Sequence, residues 1–117
     1  MIPTTVSSPL NPDLLGLLAS CRAAPADDTP ALLAAARGAS LVWIESIANP
    51  LMLVADVPAI AAGAREQGAL TVVDATFATP LRQRPLELGA DVVMHSATKF
   101  LGGHSDLLLG AAVVRDP

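Results

Sequence analysis

Three short apolar runs, each ending in a polar cluster, constrain this chain more than any other feature. Leu41 to Ser46 is β-branched and aromatic and leads into Glu45-Ser46-Ile47-Ala48-Asn49-Pro50. Leu70 to Val73 closes on Asp74, and Asp91 to His95 runs into Ser96, Thr98 and Lys99. None of the runs shows the clean polar alternation of a strand with one wet face, so the pattern predicts strands covered on both faces. Helical segments separate them. Thr29 is the expected N-cap of the first, with Pro30 at its first position, Leu32, Leu33 and Ala36 on one face and Gly38 as its stop. Asp56 is expected to cap the second, which runs to about Gln67 with Pro58 in the first turn and Gly68 after it. A short third helix is expected from about Leu81 to Leu88, ending at Gly89, and a fourth strand from Leu108 to Arg115. This alternation predicts an α/β fold with a mostly parallel sheet. Right-handed crossovers then bring the carboxyl ends of the parallel strands to one edge, where ligands bind in such sheets. Glu45–Asn49, Asp74–Thr76 and Ser96–Lys99 are therefore expected to meet at one site.

The first 30 residues read differently. Pro3, Pro9, Pro12, Pro25 and Pro30 interrupt any long element, although Asn11-Pro12-Asp13 suits the start of a short helix from Leu14 to Cys21. The expected division is a poorly structured segment over 1–30 and a partial α/β domain over 31–117. The chain is 52% hydrophobic and 15% charged, with a mean hydropathy of +0.52. That is more apolar than a domain of 117 residues needs for its own core, and it suits a slice of a larger buried sheet. A net charge of −4 and three aromatic residues, Trp43, Phe77 and Phe100, argue against a nucleic-acid partner. Glu45, Asp56, Arg65 and Asp74 interrupt every candidate membrane span. Leu18-Ala19-Ser20-Cys21 resembles a lipoprotein cleavage box, but no basic residue precedes it and its apolar segment is short. The single cysteine excludes an internal disulfide and suits a reducing cytoplasm.

Lys99 is the only lysine. A lysine at a strand end can simply reach for solvent. Set among hydroxyls and glycines at the end of a buried strand, it also suits chemistry, because a lysine whose charge is discouraged forms imines with carbonyls. Asp74 is open to two readings as well: a turn or cap aspartate, or a buried negative charge held for a ligand. Gly102 and Gly103 supply backbone freedom for a tight turn. His95 and His104 read as structural, since no Cys/His spacing supports a metal.

The run from Asp91 through Ser96-Ala97-Thr98-Lys99-Phe100-Leu101-Gly102-Gly103-His104-Ser105 resembles the pyridoxal-phosphate attachment signature of the Cys/Met-metabolism enzymes. These are the cystathionine γ-synthases, the cystathionine γ- and β-lyases, the methionine γ-lyases and the O-acylhomoserine sulfhydrylases. Val72-Val73-Asp74-Ala75-Thr76-Phe77-Ala78-Thr79-Pro80 and Glu45-Ser46-Ile47-Ala48-Asn49-Pro50 resemble two further motifs of that family, in the family's order. The resemblance runs from about residue 31 to the C-terminus. It implies a fragment of a fold-type I, aspartate-aminotransferase-like large domain, with the last strand antiparallel and strand order 41–46, 70–74, 91–95, 108–115. It implies a cofactor, pyridoxal 5'-phosphate, held as a Schiff base on Lys99, whose freed amine then moves protons. It implies that Asp74 pairs with the pyridine nitrogen, that Ser96 and Thr98 bind the phosphate, that Asn49 meets the phenolic oxygen, and that Thr76 belongs to the cofactor-binding set. Transsulfuration on a small sulfur amino acid or homoserine ester follows, with a homo-oligomer, a tetramer in the family, for a full-length chain. The Gly-Gly-His-Ser run after the lysine argues against an aminotransferase.

The sequence also departs from the family. Ala75 stands where the pattern has Asn, and Ile47 where it has Pro. There is no tyrosine at all, although the family stacks one on the cofactor ring. The family's subunits are several times longer, and the expectation is a partial chain: the middle of the large domain, without the residues reaching in from a neighbouring subunit or the C-terminal domain. Two readings therefore compete: an enzyme seen as a partial chain, or a non-catalytic remnant that binds the cofactor weakly or only assembles with a full-length homologue.

Overall fold

The computed structural model describes residues 20–115. The helix expected over Leu14 to Cys21 lies, but for its last two residues, outside the described residues. Ala24 and Ala26 pack against the core, and the Arg22 guanidinium donates to the Arg37 carbonyl at 2.9 Å. Helix α1 is Thr29–Ala35, and its cap is Asp28 rather than Thr29. The Asp28 carboxylate accepts from the Ala31 N–H at 3.0 Å, which places Thr29 and Pro30 in the first turn. Either residue could have served as the cap; a helix has one Ncap position, and the aspartate fills it.

Strand β1 (Leu41–Glu45) leads directly into a two-residue strand, β2 (Ile47–Ala48), which pairs antiparallel with β3 (Leu53–Val54). The sequence suggested only a loop here. Helix α2 (Val57–Glu66) starts at Asp56, whose carboxylate accepts from the Ala59 N–H at 3.1 Å, and Gly68 follows it at φ +78°. It buries Val57, Ile60, Ala61 and Ala64. A Cβ on Gly63 would fall 2.5 Å from Leu33 Cδ1, so the Leu33 side chain lies over the bare α-carbon where α2 meets α1. Strand β4 (Leu70–Asp74) comes next, then helix α3 (Thr79–Arg82). The expected helix from Leu81 to Leu88 does not form. Gln83 is extended, and the ring of Pro85 disfavours helical backbone at Arg84. The chain turns instead through Pro85 to Gly89, where φ reaches +107°. Strands β5 (Val92–Ser96) and β6 (Gly110–Val114) complete the fold.

The main sheet has the order β1-β4-β5-β6. The first three strands are parallel, and β6 runs antiparallel to β5. One face carries Val42 and Ile44, Val73 and Val93, and packs against Leu32, Val57, Ile60 and Ala64 of the helices. In the aligned register the other face carries Leu41 and Trp43, Leu70 and Val72, Val92 and Val114. Val72 is buried at its centre, whereas Trp43 is 55% exposed and Val114 50%. The helix-bearing face is covered over β1, β4 and β5 but not at Val113 of β6, which is 49% exposed, so the expectation of two covered faces holds for most of one of them.

β1 and β6 are the edges of this sheet among the described residues, and both are apolar. Unpaired apolar edges template pairing with other chains. A polypeptide of these 117 residues is expected to sediment as an assembly well above 11.9 kDa, with Trp43→Lys and Val113→Lys together shifting it toward single chains. A parent polypeptide that stays monomeric at micromolar concentration would count against sticky edges.

Candidate functional site

The carboxyl ends of β1, β4 and β5 lie side by side and are stitched together. The Ser46 N–H donates to the Asp74 carbonyl at 2.9 Å, and the Ala75 N–H to the Met94 carbonyl at 3.0 Å. Side chains extend the stitching. Asp74 Oδ1 accepts from the Thr76 N–H at 2.9 Å, and Thr76 Oγ1 accepts from the Ser96 N–H at 2.8 Å. Asp74, Thr76 and Ser96 are thus one hydrogen-bonded chain across two strand ends, each half-buried. On the β1 side, Glu45 Oε2 accepts from the Asn49 N–H at 3.0 Å and fixes the loop that presents Asn49.

A second group gathers in an open depression of about 1000 Å³ lined by Asn49, Thr98, Lys99 and the Phe77–Phe100 pair, and walled by the Ser105–Leu108 segment. The two phenyl rings meet edge to face with centroids 5.6 Å apart, the favoured geometry for the ring quadrupoles. Lys99 is exposed, and its side-chain amine has no hydrogen-bond or ion-pair partner among the described residues. The burial expected for it from the sequence is absent: β5 ends at Ser96, and Lys99 lies in the turn beyond. Thr98 Oγ1 accepts from the Leu109 N–H at 2.9 Å and so clasps the entry to β6, with the Leu109 carbonyl 3.3 Å from the same hydroxyl. β6 starts at Gly110, one residue after this clasp, rather than at Leu108. His104 Nδ1 lies 3.1 Å from the Gly102 carbonyl within the same turn.

The polar clusters expected at one edge therefore do meet there, in two adjoining groups. Asn49, Thr98 and Lys99 line the depression, while Asp74, Thr76 and Ser96 lie among the strand ends and are not part of its lining. Sequence reasoning missed the Phe77–Phe100 contact and the Ser105–Leu108 wall. Both depend on how two loops far apart in the chain come together, and no local pattern encodes that. Among the described residues, no group of three His, Cys, Asp or Glu side chains gathers as a metal site, and no helix is long and apolar enough to cross a membrane.

A family model described as Cys/Met metabolism PLP-dependent enzyme matches residues 22–117. The chain belongs to this family. The Cys/Met-metabolism enzymes depend on pyridoxal phosphate, and several relatives are close in sequence and structure. Over 75 residues the chain is 60% identical to the cystathionine gamma-synthase/O-acetylhomoserine (thiol)-lyase of Bacillus subtilis, covering 64% of this chain and 20% of that protein. A cystathionine gamma-lyase from Lactobacillus plantarum, solved with L-serine, superposes with a TM-score of 0.76 at 39% identity, over 82% of this chain and 26% of that one. A cystathionine gamma synthase from Xanthomonas oryzae pv. oryzae, solved with cystathionine, gives 0.71 at 46% identity, over 78% and 24%. The chain spans about a fifth of the length of the curated relatives it matches. The parallel sheet with an antiparallel last strand is the fold-type I arrangement of these neighbours.

The residues present fit the family's cofactor. An unpartnered amine in a roomy depression suits attachment of an aldehyde. The 3.3 Å separation from the Thr98 hydroxyl to the Leu109 carbonyl is longer than a normal O–H···O bond, so that proton remains available to a phosphate oxygen. Asp74 uses one oxygen on the Thr76 N–H, and no second partner for its carboxylate occurs among the described residues.

Proposed function

We propose that the protein holds pyridoxal phosphate covalently on the Lys99 amine and acts in transsulfuration, by elimination or replacement at the β- or γ-carbon of a sulfur amino acid or homoserine ester. The observation that carries this reading is the placement of an unpartnered Lys99 beside Asn49 and Thr98 at the carboxyl ends of three parallel strands. When bound, the cofactor supplies an electron sink for the electrons left at the substrate α-carbon. The chain's own residues do the rest. Lys99 Nζ anchors the cofactor and, once displaced, takes and returns the α-proton. Asp74 presents a negative charge to the ring nitrogen. Ser96 and Thr98 donate to the phosphate, Asn49 donates to the phenolic oxygen, and Thr76 holds the Ser96 backbone in place. The names of the matched relatives, a synthase with thiol-lyase activity among them, support the substrate class. A full-length protein would act as a homo-oligomer in the cytoplasm.

A second reading rests on the openness of the site. Leu108 on its wall is 91% exposed, and nothing among the described residues shields Lys99 from water. Under that reading the chain is a non-catalytic remnant that binds the cofactor weakly or assembles with a full-length homologue. Mixing the protein with pyridoxal phosphate, reducing with borohydride and mapping the peptides tests the attachment. A stable adduct on the Lys99 peptide is expected, scored separately from the N-terminal amine; no adduct at saturating cofactor refutes the assignment. The intact mass in the source cell separates the two readings, a much larger species meaning enzyme and this mass alone meaning remnant.

A further inference from the structure

Four buried side-chain atoms have no hydrogen-bond partner among the described residues, and two of them, Ser46 Oγ and His95 Nδ1, flank a single residue. The sheet register pairs Glu45 with Asp74 and Asp74 with Met94. One step further along, the Ser46 N–H to Asp74 and Ala75 N–H to Met94 bonds place Ser46, Ala75 and His95 side by side. All three point to the helix-covered face, following Ile44, Val73 and Val93 by two residues each. They are 0%, 0% and 5% exposed. Buried hydroxyl and imidazole groups are normally satisfied, and leaving one bare is destabilising. Here a methyl group stands between the two that are bare. Neighbouring strands lie about 4.8 Å apart, so one side chain on the middle strand reaches both outer ones. A carboxamide has the donor and the acceptor this requires.

Each member of the row precedes or follows a residue of the site by one position. Glu45, which anchors Asn49, precedes Ser46; Asp74 precedes Ala75; Ser96 follows His95. We infer that Ser46, Ala75 and His95 are positioning residues for that site, forming a buried row whose two polar ends are left unjoined by the methyl group of Ala75. The inference extends the proposed function, in that the site it positions is the one assigned there, but the row itself is tested without cofactor. In the parent protein no described residue bonds to the His95 Nδ1. Ala75→Asn joins Ser46 to His95 and locks one tautomer.

The test uses the intact protein free of cofactor. The nitrogen chemical shifts of the His95 ring are read by NMR, and the folding equilibrium by urea titration. Ala75→Asn is expected to move His95 to a single tautomer and leave Ala75→Leu, a size control, without that signature. Ser46→Ala is expected to change stability less than about twofold in the parent, where its hydroxyl has no partner among the described residues, but to cost about tenfold in the folding equilibrium once Asn occupies 75. Additive effects of the two substitutions, or the same ring signature in Ala75→Leu, would overturn the row. Should Ala75→Asn fail to fold, Ser46→Ala alone decides: a loss beyond tenfold in the parent means that Ser46 is already partnered and the inference is wrong. With cofactor, Ala75→Asn is expected to slow loss of the borohydride-reducible form several-fold, with unchanged retention counting against a positioning role. Absence of any adduct in both proteins would defeat the proposed function while leaving the tautomer result to stand by itself.

Discussion

Lys99→Ala is expected to leave the fold intact and remove turnover. The Lys99 side chain is exposed and bonded to nothing among the described residues, so its loss should change stability by no more than about 0.5 kcal/mol, as for other surface substitutions. Function should respond very differently. The same amine is assigned to hold the cofactor and to carry the α-proton, and positioned acid–base groups alone contribute roughly 10²–10⁴-fold. In the full-length enzyme, release of pyruvate or 2-oxobutanoate from cystathionine should fall by at least about a thousandfold on that basis. The borohydride adduct should vanish with it. A variant that melts like the parent and keeps a tenth of its turnover would remove Lys99 from the mechanism.

Asp74→Asn should separate chemistry from binding. Its Oδ1 accepts from the Thr76 N–H, and an asparagine oxygen can do the same. The turn, and through Thr76 Oγ1 the position of the Ser96 backbone, should therefore survive. What is lost is the charge assigned to keep the ring nitrogen protonated. A single preorganised electrostatic group at a reacting centre is typically worth about 10²–10³ in rate, and a loss of that order is expected in turnover. Cofactor content, measured as the reduced Lys99 adduct, should fall only about threefold or less, because a carboxamide costs little of the binding that the phosphate and covalent contacts supply. Asp74→Ala would lose the turn as well and should shed cofactor. Near-normal turnover in Asp74→Asn would mean that the carboxylate serves the Thr76 turn and nothing more.

Much of this architecture was legible before any coordinates, for physical reasons that differ by element. Buried parallel strands must be apolar throughout, so Leu41–Ser46, Leu70–Val73 and Asp91–His95 announced themselves, and parallel topology then placed their polar ends together. Asp56 and Gly68 mark the ends of α2 by chemistry local to the chain. The failures share a different origin. Asp28 displaced Thr29 as a cap because two adjacent side chains competed for one role. Pro85 cut the helix expected beyond Arg82, which was readable but was outweighed by the apolar spacing around it. The β2–β3 ribbon, the Thr98–Leu109 clasp and the Phe77–Phe100 contact join loops across the fold, and no run of neighbouring residues specifies such contacts. Lys99 was placed at a buried strand end, whereas the strand stops three residues short of it.

Trp43 gives the molecule an optical property. It is the only tryptophan, and the chain has no tyrosine, so essentially all ultraviolet emission excited near 295 nm (roughly the indole edge) originates from one ring. That ring sits on β1, one of the two edge strands among the described residues, with about half its surface in water. Any strand or subunit that seats itself along this side must strip water from the indole, and emission moves to the blue when that happens. Fluorescence colour thus reads out whether the β1 margin is bare or occupied, without a label and without disturbing Lys99, which lies beyond the far end of β5.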